Sequence, residues 1–162
     1  MSDSLEVEIG SILKERKLQL GLAESCTGGL LGHRMTNVAG SSEYFAGSVV
    51  AYSYEAKAAV LGVSWDTLNT FGAVSRETVL EMANGAKKLL GVDIAVSISG
   101  IAGPGGGTAD KPVGTTWIGL VTDYGEWARE FHFKGDREKN KDSSAEEALK
   151  MLLDYLQGKI KQ

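Results

Sequence analysis

The sequence predicts an α/β protein, a three-layer α/β/α sandwich around a mixed sheet. Three observations carry that expectation. Short apolar stretches with the two-residue alternation of strands are interleaved with stretches whose apolar residues recur at helical spacing. Helical patterns stand at both ends of the chain, so strands are flanked by helices able to cover them. The 162 residues contain no internal repeat and no long linker, so residues 1–162 read as one domain with a sizeable core.

Each element has its own signal. Leu5, Ile9, Ile12 and Leu13 recur at helical spacing and predict a first amphipathic helix ending near Lys17. Residues 18–23 read as a short strand, and residues 27–37 as a second helix stopped by Gly40 and the Ser41-Ser42 pair. Residues 45–54, rich in valine and aromatics, read as a buried strand. Residues 55–61 look helical, and 65–71 form a short helix or irregular connection. Ser75 is placed to cap a helix carrying Val79, Met82, Ala83, Ala86 and Leu90 on one face, with Gly91 as its stop. Residues 92–99 alternate valine and isoleucine with small or polar residues, the pattern of a strand packed on both faces. A glycine-rich connection, residues 100–107, follows. Residues 113–122 and 127–134 read as two strands joined by the turn Asp123-Tyr124-Gly125-Glu126. The last helix starts at Asp136 or Ser143 and runs to Leu156, with Ala145, Ala148, Leu149, Leu152, Leu153 and Leu156 as its apolar stripe.

Composition narrows the chemistry. A net charge of −4 supplies no global field to recruit nucleic acid. Cys26 is the only cysteine, which excludes an internal disulfide and a zinc–cysteine cluster. No apolar run approaches the roughly 18–20 residues that cross a bilayer. Residues 1–6 lack the basic and apolar regions of a signal peptide, so a cytoplasmic protein without a membrane partner is expected. His33 and His132 are the only histidines. His132 alternates with Phe131 and Phe133 and belongs on the opposite strand face, and both histidines read as surface or interface residues. A hydrolase built on this chain therefore needs a different base.

Four segments can carry chemistry. Ala23-Glu24-Ser25-Cys26-Thr27-Gly28-Gly29 lies where a strand gives way to a helix, with hydroxyls and a thiol in the turn. Such a turn presents backbone N–H groups, and two glycines keep its backbone open, a setting suited to attacking a carbonyl and holding the oxyanion. The alternative is that Ser25 or Thr27 only caps the helix. Ala51-Tyr52-Ser53-Tyr54-Glu55-Ala56-Lys57 lies at a similar junction. A desolvated lysine there loses basicity and can act as a neutral base, completing a Ser–Lys pair, while Tyr52 orients it or bonds the nucleophile. The competing reading of Lys57 is a solvated helix lysine. The loop Gly100-Ile101-Ala102-Gly103-Pro104-Gly105-Gly106-Gly107-Thr108 fits neither a P-loop nor G-x-G-x-x-G. It nevertheless leaves a strand end, where open α/β sheets gather ligands, unless it is a plain connection stiffened by Pro104 and Pro112. Gly135-Asp136-Arg137 offers an arginine near a helix start as a phosphate seat, against the alternative of Asp136 as cap and Arg137 solvated.

Taken together these segments resemble a known family. Residues 23–29, Gly-Ser-Ser at 40–42, Val-Val-Ala-Tyr-Ser at 49–53 and Glu-Ala-Lys at 55–57 follow its pattern in order. Gly-Ala-Val-Ser at 72–75, Ser-Gly-Ile-Ala-Gly-Pro at 99–104 and Lys-Pro-Val-Gly-Thr at 111–115 continue it. The chain resembles the stand-alone nicotinamide-nucleotide amidases, the family named for the carboxy-terminal domain of the competence-damage protein CinA. The resemblance implies hydrolysis of the carboxamide of nicotinamide mononucleotide to nicotinate mononucleotide and ammonia, without metal or cofactor. It implies a fold of the anticodon-binding-domain class, with Ser25 as nucleophile and Tyr52 and Lys57 completing the catalytic group. Thr27, Gly28, Gly29, Gly100, Ala102, Gly103 and Arg137 are the expected substrate contacts, and a homo-oligomer without a nucleic-acid partner is the expected assembly. Two residues depart from the family pattern: Tyr54, where asparagine is common, and Gly105, where aspartate is common. Two other functions compete, a serine amidase for a different small amide and a non-catalytic nucleotide-binding module linked to competence.

Overall fold

Large apolar side chains on one face of the central strands, and small ones on the other, decide how the layers pack. In the computed structural model, which describes residues 3–160, the chain forms six helices and a five-stranded sheet. The elements run α1 (Leu5–Arg16), β1 (Leu20–Glu24), α2 (Leu30–Thr36), β2 (Phe45–Val50), α3 (Tyr54–Leu61) and α4 (Trp65–Phe71). They continue with α5 (Arg76–Leu90), β3 (Ile94–Gly100), β4 (Thr115–Thr122), β5 (Gly125–His132) and α6 (Arg137–Leu156). The strand order is β2-β1-β3-β4-β5, with β1 parallel to both β2 and β3 and the remaining pairs antiparallel.

Leu20 and Leu22 of β1, Val96 and Ile98 of β3, and Ile118 and Leu120 of β4 face one core. They meet Ile9 and Leu13 of α1, Leu31 and Met35 of α2, and the predicted stripe of α6. The opposite face is built of Ala23, Ala95 and Val121 and is covered by Leu61, Leu68, Met82, Ala83 and Ala86 from α3, α4 and α5. Small residues there let α5 lie close. The Ser97 hydroxyl donates to the Val79 carbonyl at 2.6 Å, and a Cβ on Gly119 would stand 2.8 Å from the same oxygen. The three-layer α/β/α sandwich and its mixed sheet are as expected.

Several boundaries differ from the sequence reading. β1 starts at Leu20 and reaches Glu24, and α2 starts only at Leu30, because Gly28 and Gly29 take left-handed φ values of 60° and 106°. β2 stops at Val50 and is an edge strand, half-buried rather than buried, since no strand covers its outer side. α6 starts at Arg137, the earlier of the two expected starts, with the Asp136 carboxylate accepting from Lys139 N at 2.9 Å. Ser53, Ser64 and Ser75 cap α3, α4 and α5 in the same way, whereas α2 has no side-chain cap at Gly29. Among the described residues no helix is long and apolar enough to cross a membrane. Met1 and Ser2, part of the amino-terminal stretch read above, lie outside the described residues.

Candidate active site

Parallel strands finish at the same edge of a sheet, so the connections that leave them meet. The connections after β1, β2 and β3 supply the residues described next. Ser25 follows β1 directly, its N–H donating to the Ile98 carbonyl of β3 at 3.0 Å. Gly28 N donates to the Ser25 carbonyl at 3.1 Å and closes the turn. Lys57 reaches back from α3, and its Nζ lies 2.8 Å from Ser25 Oγ, 3.0 Å from the Ala51 carbonyl and 3.1 Å from the Tyr52 carbonyl. Lys57 is only 1% exposed, and burial pushes its amine down to about 8.

When the amine is neutral, two N–H bonds can go to the two carbonyls, which cannot donate, and the lone pair is left to accept from the Ser25 hydroxyl. An ammonium would donate to the same three oxygens, so a proton can pass between Ser25 and Lys57 without any partner moving. Cys26 lies close enough to feel the charge of Lys57 but makes no hydrogen bond to the pair. Its side chain joins the core cluster of α1, α2 and α6, and burial pushes the thiol up to about 11. A buried thiol of that kind is a poor nucleophile.

Glu24 was missing from the expected site. It is fully buried, and its Oε1 accepts from Thr27 Oγ1 at 2.7 Å and Leu31 N at 2.8 Å. Its Oε2 accepts from Gly32 N at 3.0 Å and Ser48 Oγ at 2.5 Å. The carboxylate thus caps α2 from the preceding strand, replacing the cap that Gly29 cannot provide. No signal of this was readable in the sequence, because Ser25 and Thr27 both read as caps for a helix starting at residue 27. Two corrections follow. The N–H groups of Leu31 and Gly32 are taken by Glu24 and that of Leu30 by the Thr27 carbonyl, so the start of α2 leaves none of the three for a ligand. The Thr27 hydroxyl, expected to face the substrate, donates to Glu24 instead, and Thr27 is 1% exposed. Among the described residues, the N–H groups of Thr27 and Gly29 have no backbone acceptor.

Tyr52 divides into two functions, neither quite as expected. Its carbonyl, not its ring, holds Lys57. Its hydroxyl accepts from Arg137 Nη2 at 3.1 Å on a side chain that is 61% exposed. Arg137 is not a freely solvated arginine, because Nη1 also donates to the Gly103 carbonyl at 2.7 Å. Asn140, a second residue that sequence reasoning missed, donates from Nδ2 to the Ala102 carbonyl at 3.0 Å and accepts from Gly135 N at 2.9 Å. The carbonyls of Ala102 and Gly103 therefore face the start of α6. Gly100 lies in β3, where a Cβ would press on Thr116 and the Thr115 carbonyl, so its missing side chain serves sheet packing. Gly28 and Gly29 remain open, with nothing within 4 Å of a Cβ on Gly28.

A cavity of about 510 Å³ opens where α2 and α6 begin, lined by Leu30, Arg137, Glu138, Lys141 and Asp142. A larger one, about 570 Å³, lies at the far edge of the sheet around Asp93, Thr122 and Tyr155. The His132 ring bonds to Glu130 and Thr115 rather than to the Ser25–Lys57 pair. Among the described residues no cluster of His, Cys, Asp or Glu is arranged to hold a metal ion.

The family model described as the CinA C-terminal domain matches residues 2–156. A CinA-like protein of Thermotoga maritima is 50% identical over 157 residues, covering 97% of this chain and 38% of that protein. The chain thus spans about 38% of the length of that curated relative. A competence-damaged protein (CinA) superfamily protein of Klebsiella pneumoniae superposes with a TM-score of 0.92 at 36% identity, covering 95% of this chain and 96% of that one. The competence/damage inducible protein CihA of Agrobacterium tumefaciens gives 0.91 at 39% identity, covering 94% and 93%.

Proposed function

The chain belongs to the CinA C-terminal domain family, and from that premise we propose that it hydrolyses the carboxamide of nicotinamide mononucleotide. The observation that carries the reading is the buried Lys57 Nζ at 2.8 Å from Ser25 Oγ, with its other two contacts on carbonyls. Desolvating a lysine is costly and gains nothing for a binding module, which favours catalysis over a non-catalytic role.

Neutral Lys57 takes the hydroxyl proton as Ser25 Oγ attacks the amide carbon. The N–H groups of Thr27 and Gly29, left without a backbone acceptor, stabilise the developing oxyanion. Lys57, now an ammonium, returns the proton to the departing nitrogen, and ammonia leaves as the tetrahedral intermediate collapses to a nicotinoyl-serine ester. Water then attacks the ester, Lys57 takes its proton, and Ser25 Oγ leaves with that proton. Nicotinate mononucleotide is the product. Arg137 supplies the cation for the substrate phosphate at the mouth of the 510 Å³ cavity, and Tyr52 steadies it through its hydroxyl. The cytoplasm is the compartment this substrate implies.

A time course of purified protein with nicotinamide mononucleotide tests the reading. Equal amounts of nicotinate mononucleotide and ammonia are expected. Ammonia from other small amides, with none from the mononucleotide, would keep the serine amidase and reject the substrate.

A further inference from the structure

Ser25 and Lys57 come from different elements, 32 positions apart, and something must hold them in register. Both are tied to one residue. The Glu24 carboxylate gathers Thr27 Oγ1, Leu31 N and Gly32 N, which frame the turn carrying Ser25. It also accepts from Ser48 on β2, the strand that leads to Ala51. The Glu24 carbonyl accepts from Ala51 N at 2.9 Å, and Ala51 and Tyr52 present the two carbonyls that hold Lys57 Nζ. We propose that Glu24 is the positioning residue of this site, its carboxylate fixing the Ser25 turn and its carbonyl fixing the seat of Lys57. The proposal rests on Ser25 as nucleophile and Lys57 as base, and not on the identity of the amide.

The chemistry of the contacts makes the carboxylate hard to replace. Each oxygen faces one hydroxyl and one backbone N–H. A hydroxyl can rotate and become an acceptor, but a backbone N–H cannot. Glutamine has the same shape, yet in either flip its NH₂ confronts the N–H of Leu31 or of Gly32. The turn must then shift, and Ser25 with it. Space for relief is short, because a Cβ on Gly32 would already lie 3.0 Å from Ser48 Cβ and 3.4 Å from Glu24 Oε2.

The test is the rate at which a small sulfonyl fluoride labels Ser25, followed by intact mass, in wild type and Glu24→Gln across pH. The variant is expected to fold and to be labelled about 10- to 100-fold more slowly, the cost of misplacing a reacting group by about an ångström. The pH midpoint of labelling should stay at its wild-type value. With nicotinamide mononucleotide, kcat should fall by a similar factor while KM changes less than about 3-fold. Wild-type labelling by Glu24→Gln overturns the proposal, and so does a shifted midpoint at an unchanged plateau, which would make Glu24 an electrostatic partner of Lys57. Should Glu24→Gln fail to fold, Ser48→Ala removes one contact and is expected to slow labelling about 3- to 10-fold. A wild-type rate for Ser48→Ala would then overturn it. A wild-type chain that is labelled at Ser25 but leaves the mononucleotide intact overturns the substrate assignment alone, and the labelling ratio still decides on Glu24.

Discussion

The parallel half of the sheet ends all three of its strands, β2, β1 and β3, at one edge and hands each to a connection there. The antiparallel half, β4 and β5, folds back on itself through Asp123 and Tyr124 at the other edge, and only its exit into α6 returns to the site. The difference shows in what each half contributes. From the parallel half come Glu24, Ser25, Thr27 and Lys57, all buried polar side chains bonded to one another or to nearby backbone. From the antiparallel half comes Arg137, exposed and attached to the site through Gly103 and Tyr52. Parallel topology gathers polar chain ends where packing can desolvate them. Antiparallel topology hides its polar backbone in the hairpin and leaves its charged contribution on the outside.

Breaking the buried half should have the largest effect. Ser25→Ala is expected to lower kcat by at least ~10⁴-fold, as loss of a nucleophile does in serine hydrolases. Lys57→Met should lower it by at least ~10²-fold, the lower range for a general base. Both are measured as ammonia release by folded protein. The wild-type rate should rise with pH through about 8, where Lys57 becomes neutral. Near-normal turnover by Lys57→Met would remove the base from this half.

Burial of Lys57 also makes a stability prediction with a definite sign. Its amine sits at about 8 in the fold against an ordinary value of 10.5. Between those values the unfolded chain binds more protons than the folded one, so stability rises with pH. Relative to Lys57→Met, the wild type should gain about 1.4 kcal/mol per pH unit across that window, in all about 3 kcal/mol. Below about 8 both states are protonated and the difference should be flat. Urea unfolding of both proteins at pH 7, 9 and 10.5 measures it, and a constant difference would mean that Lys57 is not desolvated.

What the sequence disclosed follows the same division. Local signals carried two helix starts: Ser75 and Asp136 cap where short-range chemistry favours them, whereas the caps Ser53 and Ser64 emerged only from the structure. The Ser25 turn and Lys57 were legible because residue types at strand ends limit the chemistry available. Glu24 was not, since an acid beside serine reads as solvated until β2 and β3 are known to enclose β1 on both sides. The same non-local fact misplaced β2, whose valines suggest a buried strand although its position makes it an edge. Asn140 was hidden for a related reason: it meets Ala102, 38 positions away, only when the antiparallel half delivers α6 to the loop.

The outer half is expected to act on binding. Arg137→Ala loses a charge-assisted contact worth roughly 1.5–3 kcal/mol, so KM for nicotinamide mononucleotide should rise about 10- to 150-fold. The riboside, which has no phosphate, controls for the contacts of Arg137 with Gly103 and Tyr52 and should be affected far less. Tyr52→Phe removes only the hydroxyl that Arg137 holds and keeps the carbonyl that holds Lys57. It should therefore resemble a mild Arg137 variant, raising KM, and not a Lys57 variant. A fall in kcat with constant KM would instead put the Tyr52 ring in the chemistry.

The smallest effect is expected at Cys26, and it sharpens the comparison most. Ser25 and Cys26 are adjacent and equally buried, at 7% exposure each. Their side chains diverge, Ser25 toward Lys57 and Cys26 into the core cluster with Leu31 and Ile98. The thiol is pushed up to about 11 and carries almost no thiolate at neutral pH. Cys26→Ala removes a small core group, so a stability loss of about 1 kcal/mol is expected, with kcat unchanged within about 3-fold. Thermal unfolding and steady-state turnover measure the two separately. A Ser25→Ala protein that still turns over, and loses that activity on thiol alkylation, would exchange the roles of the two neighbours. The half of the sheet would stay the same, but the side chain that carries the chemistry would not.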